Sequence, residues 1–115
     1  MIKVLIVDDQ SIVREGLSFM LSREDGIVVC GLADNGQTAY EQCINTNPDV
    51  ILMDIKMPIM SGVEGTKLIK RDFPDVKVIV LTTFNDDEYI FEALKYGASG
   101  YLLKDATREK IVEAI

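Results

Sequence analysis

The stretch VILMDIKMP, Val50 to Pro58, carries two signals side by side. Four apolar residues, Val50 to Met53, have the composition of a short strand covered on both faces. The run stops at Asp54, an acid expected on a loop where the strand leaves the core. Met57-Pro58 then begins a turn, because proline fixes its own φ and restricts the residue before it. Taken alone, Asp54 reads first as a solvated loop acid or a helix N-cap, and only second as a ligand or a nucleophile. What the other strands bring beside it chooses among these.

Working outward, five apolar runs recur: Ile2 to Val7, Ile27 to Leu32, Val50 to Met53, Val76 to Leu81 and Gly100 to Leu103. Between them lie segments of helical spacing. Val13, Gly16, Leu17, Met20 and Leu21 share one face; Ala39, Cys43 and Ile44 share the next. Then come Val63, Ile69 and Phe73, followed by Ile90, Ala93, Leu94 and Gly97, with Ile111, Val112 and Ile115 opening a last helix. Ser61 with Glu64 and Asn85 with Glu88 match the capping-box spacing, Asp34 with Gln37 nearly does, and Gly97 stands where a helix would end. Strand and helix alternating five times predict an α/β domain, a five-stranded parallel sheet with helices on both faces. Residues 1–115 read as one such domain, whose last helix, barely two turns long, is expected to be cut from a longer polypeptide.

The bulk properties narrow the function. With 48% hydrophobic residues in 115, a full core is affordable. A net charge of -7 and a pI near 4.5 argue against nucleic-acid binding by this domain and against anionic membranes, and favour a cation. No histidine is present, so imidazole metal sites and Ser-His-Asp catalysis are excluded. Cys30 and Cys43 fit no zinc or disulfide pattern and read as small core residues, in keeping with a cytoplasmic setting. Neither a signal peptide nor a run of membrane-spanning length is seen.

The residues that follow the apolar runs hold the chemistry. They are Asp8 and Asp9, then Asp54, then Thr82 and Thr83, then Lys104. Parallel strands present their carboxyl ends at one edge, which is where open α/β sheets bind ligands. Three close carboxylates repel one another unless a cation sits among them, and oxygen ligands of this kind suit Mg²⁺. A lysine and a threonine hydroxyl nearby are donors suited to phosphoryl oxygens. The set is equipped for phosphoryl transfer to a carboxylate.

With VLIVDD, VILMDIKMP followed by Gly62, VIVLTT and GYLLKD in order, the sequence resembles a two-component response regulator receiver domain, of the NarL/FixJ (LuxR-type) subfamily. The resemblance covers essentially the whole chain and implies the flavodoxin-like strand order 2-1-3-4-5. It implies that Asp54 takes a phosphoryl group from a histidine of a sensor kinase. Asp9 and Asp54 would bind Mg²⁺ directly, Asp8 through water, and the backbone carbonyl of Lys56 would complete the protein ligands. Thr82 and Lys104 would hold phosphoryl oxygens, with Thr83 as the small neighbour that leaves access. Tyr101 would be an aromatic switch turning inward as Thr82 shifts. The output would be a changed surface on the fourth helix, fifth strand and fifth helix, homodimerisation, and control of a DNA-binding domain beyond residue 115 in a transcription regulator.

Some positions depart from the pattern. Gln10 stands where the subfamily often has histidine, and Asp105 replaces the proline common elsewhere, so no cis bond is expected after Lys104. Lys56 and Phe84 would tune how fast the phosphoryl group is lost. Plainer readings stand beside these: Asp8 or Asp9 as a cap of the first helix, Lys104 as a surface lysine, Tyr101 as packing. The methionines Met53, Met57 and Met60 read as core or turn filling, and Asp86-Asp87-Glu88 and Arg23-Glu24-Asp25 as solvated helix ends. Rival functions fare less well. An aspartyl-phosphate phosphatase needs a second acid and a cap domain, and a nucleotide or flavin domain needs a glycine-rich loop where Asp8-Asp9-Gln10 stands. A receiver-like assembly module that never takes phosphate is the remaining alternative. The chain is expected to be a signalling module with self-phosphorylation and self-dephosphorylation chemistry only, not an enzyme.

Overall fold

A computed structural model describes residues 1–83 and 86–115. The element order is β1 (Ile2–Val7), α1 (Ser11–Ser22), β2 (Ile27–Ala33), α2 (Gly36–Thr46), β3 (Val50–Asp54), α3 (Gly62–Asp72), β4 (Lys77–Thr82), α4 (Asp87–Lys95), β5 (Gly100–Leu103) and α5 (Arg108–Ala114). All four strand pairings are parallel and the sheet order is β2-β1-β3-β4-β5, the flavodoxin-like α/β arrangement.

The apolar runs form strands because both faces of the sheet are covered. Leu5, Val7, Ile51, Met53 and Val78 point to one side and meet Ala39 and Cys43 of α2 and Ile69 of α3. Their alternates Val4, Ile6, Leu52, Ile79 and Leu81 point to the other and meet Leu21 of α1 and Ile111 of α5. Val80 extends the first side under Ile90 and Ala93 of α4. This two-sided burial holds for β1, β3 and β4 and is why they read as continuous apolar runs, while the edge strands β2 and β5 stay partly exposed.

The strand limits differ from the sequence reading at their carboxyl ends. β2 reaches Ala33, β4 runs from Lys77 to Thr82, and β3 includes Asp54, which pairs with Leu81. Asp54 is therefore the last residue of a strand and not a loop acid. Helix faces also shift. Gly16, Ile44 and Leu94 are exposed although they continue their apolar stripes, since no neighbouring element covers that edge. The cap of α2 is Asn35, not Asp34: its side chain accepts from the amides of Gln37 and Thr38, and Thr38 returns the bond. Ser61 caps α3 through the Glu64 amide. Gly97, at φ +110, ends the α4 segment as expected. Asn85 and Phe84, named above as a cap and a tuning residue, lie outside the described residues.

Three glycines set the distance between layers. A Cβ on Gly62 would stand 2.0 Å from the Asp54 carbonyl oxygen, so only glycine lets α3 start against the end of β3. Gly36 and Gly65 face each other where α2 crosses α3, each leaving no room for a methyl group. Among the described residues no helix is long and apolar enough to cross a membrane.

Candidate functional site

The sheet register brings the sequence-predicted residues together. Val7 pairs with Met53, so Asp8 lies level with Asp54; Thr82 follows Leu81, the partner of Asp54; Lys104 follows Leu103, the partner of Thr82. The Lys104 amide donates to the Thr82 carbonyl at 2.8 Å, which extends the ladder one residue past the strand. β1 and β3 flank the point where strand order reverses, and that crevice is the usual ligand site of such sheets.

Three acids meet there. One carboxylate oxygen from each of Asp8, Asp9 and Asp54 lies within 4.8 Å of the others. Asp8 is fully buried at 0% exposure and Asp54 is 3% exposed, while Asp9 faces outward. Asp8 is no helix cap: Gln10 holds the N-cap position of α1, with no side-chain cap bond, and its amide donates to Asp8 Oδ1 at 2.9 Å. Arg14 Nη1 donates to the Asp8 carbonyl at 2.7 Å and steadies the loop.

Lys104 closes the group. Its Nζ lies 3.1 Å from Asp8 Oδ2 and 3.1 Å from Asp54 Oδ1. These are ion contacts without hydrogen-bond alignment, and Asp8 Oδ2 is otherwise buried with no hydrogen-bond partner among the described residues. One ammonium against two buried carboxylates leaves the site short of positive charge. Burial pushes the Asp54 carboxyl up to about 6, Asp8 adds to the rise, and Lys104 opposes it. An unsatisfied buried carboxylate oxygen beside two further acids fits a hard divalent cation.

Thr82 and Thr83 lead to a group that the sequence reading misplaced. Asp86, expected in a solvated helix end, is only 4% exposed. Its Oδ2 accepts from Thr82 Oγ1 at 2.9 Å, Thr83 Oγ1 at 3.0 Å and the Thr83 amide at 3.3 Å, while Oδ1 pairs with Lys56 Nζ at 2.9 Å. These partners, Lys56 foremost, hold its carboxyl down at about 2. The Lys56 ammonium also sits 5.1 Å over the Tyr89 ring. Nothing in the run Asp86-Asp87-Glu88 distinguishes the first acid from the others; only its reach back to Thr82, four residues earlier, could have hinted at the bond.

Tyr101 stands apart from the acids, 52% exposed on β5. It lines a shallow surface cleft with Leu103, Asp105 and Lys110. A second cleft, of about 260 Å³, is lined by Thr82, Thr83, Leu103, Lys104 and Asp105 and adjoins the site. A groove of about 490 Å³ lies elsewhere, between α3 and α4, and holds none of the three acids. The peptide bond after Lys104 is trans. Cys30 and Cys43 are free thiols packed in the core, as expected.

The sequence profile of the response regulator receiver domain matches residues 4–115. The chain is 54% identical over 115 residues to the transcriptional regulatory protein LnrK of Bacillus subtilis, covering 100% of this chain and 52% of that protein. It is similar to a two-component response regulator of the LuxR family from Aurantimonas sp., with a TM-score of 0.89 and 30% identity, covering 97% of this chain and 80% of the other. A DNA-binding response regulator of the LuxR family from Staphylococcus aureus gives a TM-score of 0.90 at 29% identity, covering 98% of this chain and 94% of the other. The chain spans about half the length of the curated relatives it matches.

Proposed function

The chain belongs to the response regulator receiver family, and on that footing we propose that it is the phosphoacceptor domain of a two-component transcription regulator, with Asp54 the residue modified. The observation that carries this is Lys104 Nζ held 3.1 Å from both Asp8 and Asp54, two buried acids with the exposed Asp9 beside them. Asp54, ionised above about pH 6, offers a carboxylate oxygen to the phosphorus of a phosphohistidine on a sensor kinase. The new bond is an acyl phosphate O–P bond, the N–P bond breaks, and its electron pair returns to the histidine imidazole, which takes a proton. Asp9 and Asp54 directly, Asp8 through water and the Lys56 carbonyl would hold Mg²⁺, which when bound offsets charge on the phosphoryl oxygens. Lys104 is freed from its acids to meet one phosphoryl oxygen, and the Thr82 hydroxyl meets another.

In this reading Tyr101 turns inward when Thr82 moves, and the surface of α4, β5 and α5 changes to favour a homodimer. A DNA-binding domain following residue 115 and a cytoplasmic location complete the proposal, supported by the transcriptional regulators among its relatives. The domain itself is a signalling module whose chemistry is confined to gain and loss of its own phosphoryl group.

The test is intact mass after treatment with acetyl phosphate and Mg²⁺, on this protein and on Asp54→Ala. One added phosphoryl group that requires both Mg²⁺ and Asp54 is the expected result, with a sizing run to follow dimerisation. Full phosphorylation of Asp54→Ala would refute the assignment. No gain with acetyl phosphate or with a phosphorylated kinase domain would favour an assembly module.

A further inference from the structure

The Asp86 cluster is not used by the chemistry above, yet it holds one of its donors. A threonine hydroxyl has a single hydrogen to donate. Among the described residues the acceptors within reach of Thr82 Oγ1 are Asp86 Oδ2 at 2.9 Å and the Thr83 carbonyl at 3.1 Å. A bond to a nearly buried, ionised carboxylate is among the stronger neutral-donor bonds a hydroxyl can make. Donation there and donation to a phosphoryl oxygen exclude each other. Asp86 is itself tied by Lys56, two residues past Asp54, and Lys56 also contacts Tyr89 in the first turn of α4. One short chain of contacts thus joins the loop after β3, the end of β4 and the start of α4.

We propose that Asp86 is a positioning residue that parks Thr82 away from the phosphoryl group, and that Lys56 anchors it, so the three form a latch opposing the phosphorylated arrangement. This rests on the phosphoacceptor reading of Asp54 and extends it. The latch is a two-state element of the kind that couples a site to a distant surface. With the latch closed, Thr82 and the start of α4 stay where they are. A phosphoryl group at Asp54 competes for the Thr82 hydrogen, and winning it releases Asp86 and the Lys56–Tyr89 contact together. Ligand affinity is lowered by the fraction of chains that are latched.

The test is titration with beryllium fluoride, a phosphoryl mimic, in the presence of Mg²⁺, followed by amide NMR. Asp86→Ala should bind the mimic at least about fivefold more tightly than the parent chain, as expected for losing one charge-assisted hydrogen bond. Lys56→Met should shift affinity the same way by less. In a Thr82→Ala background, Asp86→Ala should have no effect, because the coupling runs through that hydroxyl. Asp86→Ala binding equally or more weakly would overturn the latch, as would a gain that persists without Thr82. If Asp86→Ala does not fold, Lys56→Met decides, since its side chain is 60% exposed and its loss removes little packing. A folded parent chain that takes up neither mimic nor phosphoryl group sinks the phosphoacceptor reading and the latch together. Uptake indifferent to Asp86 sinks the latch alone.

Discussion

Asp54→Asn should make the metal-free protein more stable, even though it removes the proposed nucleophile. The folded chain holds the Asp54 carboxyl at about 6 against an ordinary value of 3.8, first through burial and then through the Asp8 charge. An acid whose pKa is raised on folding costs nothing below its unfolded pKa, where both states are protonated. The cost grows as pH rises from 3.8 towards 6 and is complete above that. A gap of roughly two units, at 1.36 kcal/mol each, sets the cost near neutrality at about 3 kcal/mol. The attraction of Lys104 is already counted in that gap, because it is one of the influences on the Asp54 value. For a domain of this size the gain from Asn corresponds to about 10 °C in Tm. Thermal or urea unfolding followed by circular dichroism in EDTA measures it. At about pH 8 the full gain is expected, and at about pH 4.5 it should shrink to about 1 kcal/mol. Millimolar Mg²⁺ should raise the parent chain and close the difference, because only the carboxylate adds a strong ligand. An Asn variant no more stable than its parent at about pH 8 would refute the reasoning. A gain of equal size at both pH values would point to packing instead of charge.

Lys104→Ala should destabilise the metal-free chain by about 3 kcal/mol, because it leaves two buried carboxylates without their cation. Mg²⁺ binding should survive, while dimerisation on phosphorylation is lost; dimerisation unchanged in a sizing run would count against the lysine. Gly62→Ala should cost about 3 kcal/mol or prevent folding, since its Cβ would collide with the Asp54 carbonyl at 2.0 Å; near-normal urea stability would show that α3 can shift. Ile59, a β-branched and exposed residue at φ +69, is strained, so Ile59→Gly should stabilise by about 1 kcal/mol. A loss in urea unfolding would contradict that strain.

Local physics explains how separate strand ends form one site. Asp8, Asp54, Thr82 and Lys104 come level because the strands pair in register from Val7 to Leu103, and the buried runs of β1, β3 and β4 oppose a slip of register. Gly62 allows α3 to close against Asp54. Asp86 adds a contact from outside the sheet, reaching back to Thr82 at the end of β4.

From sequence alone, the positions of the strands and of the polar residues at their ends could be read. Continuous Val, Ile and Leu runs have few places to go except a sheet covered on both faces, and polar residues must then stand where each run leaves the core. Helical spacing likewise placed Leu21, Ala39, Cys43, Ile69 and Ile111 on buried faces. Tertiary structure alone settled which edge of each stripe is covered, leaving Ile44 and Leu94 exposed. It chose Asn35 over Asp34 as a cap, and it buried Asp86 beside Lys56 and Thr82 while leaving Asp87 and Glu88 outside. Periodicity reports which residues share a face. The charge and hydrogen-bond partners waiting opposite that face come from segments distant in the chain, and they exist only once the chain has folded.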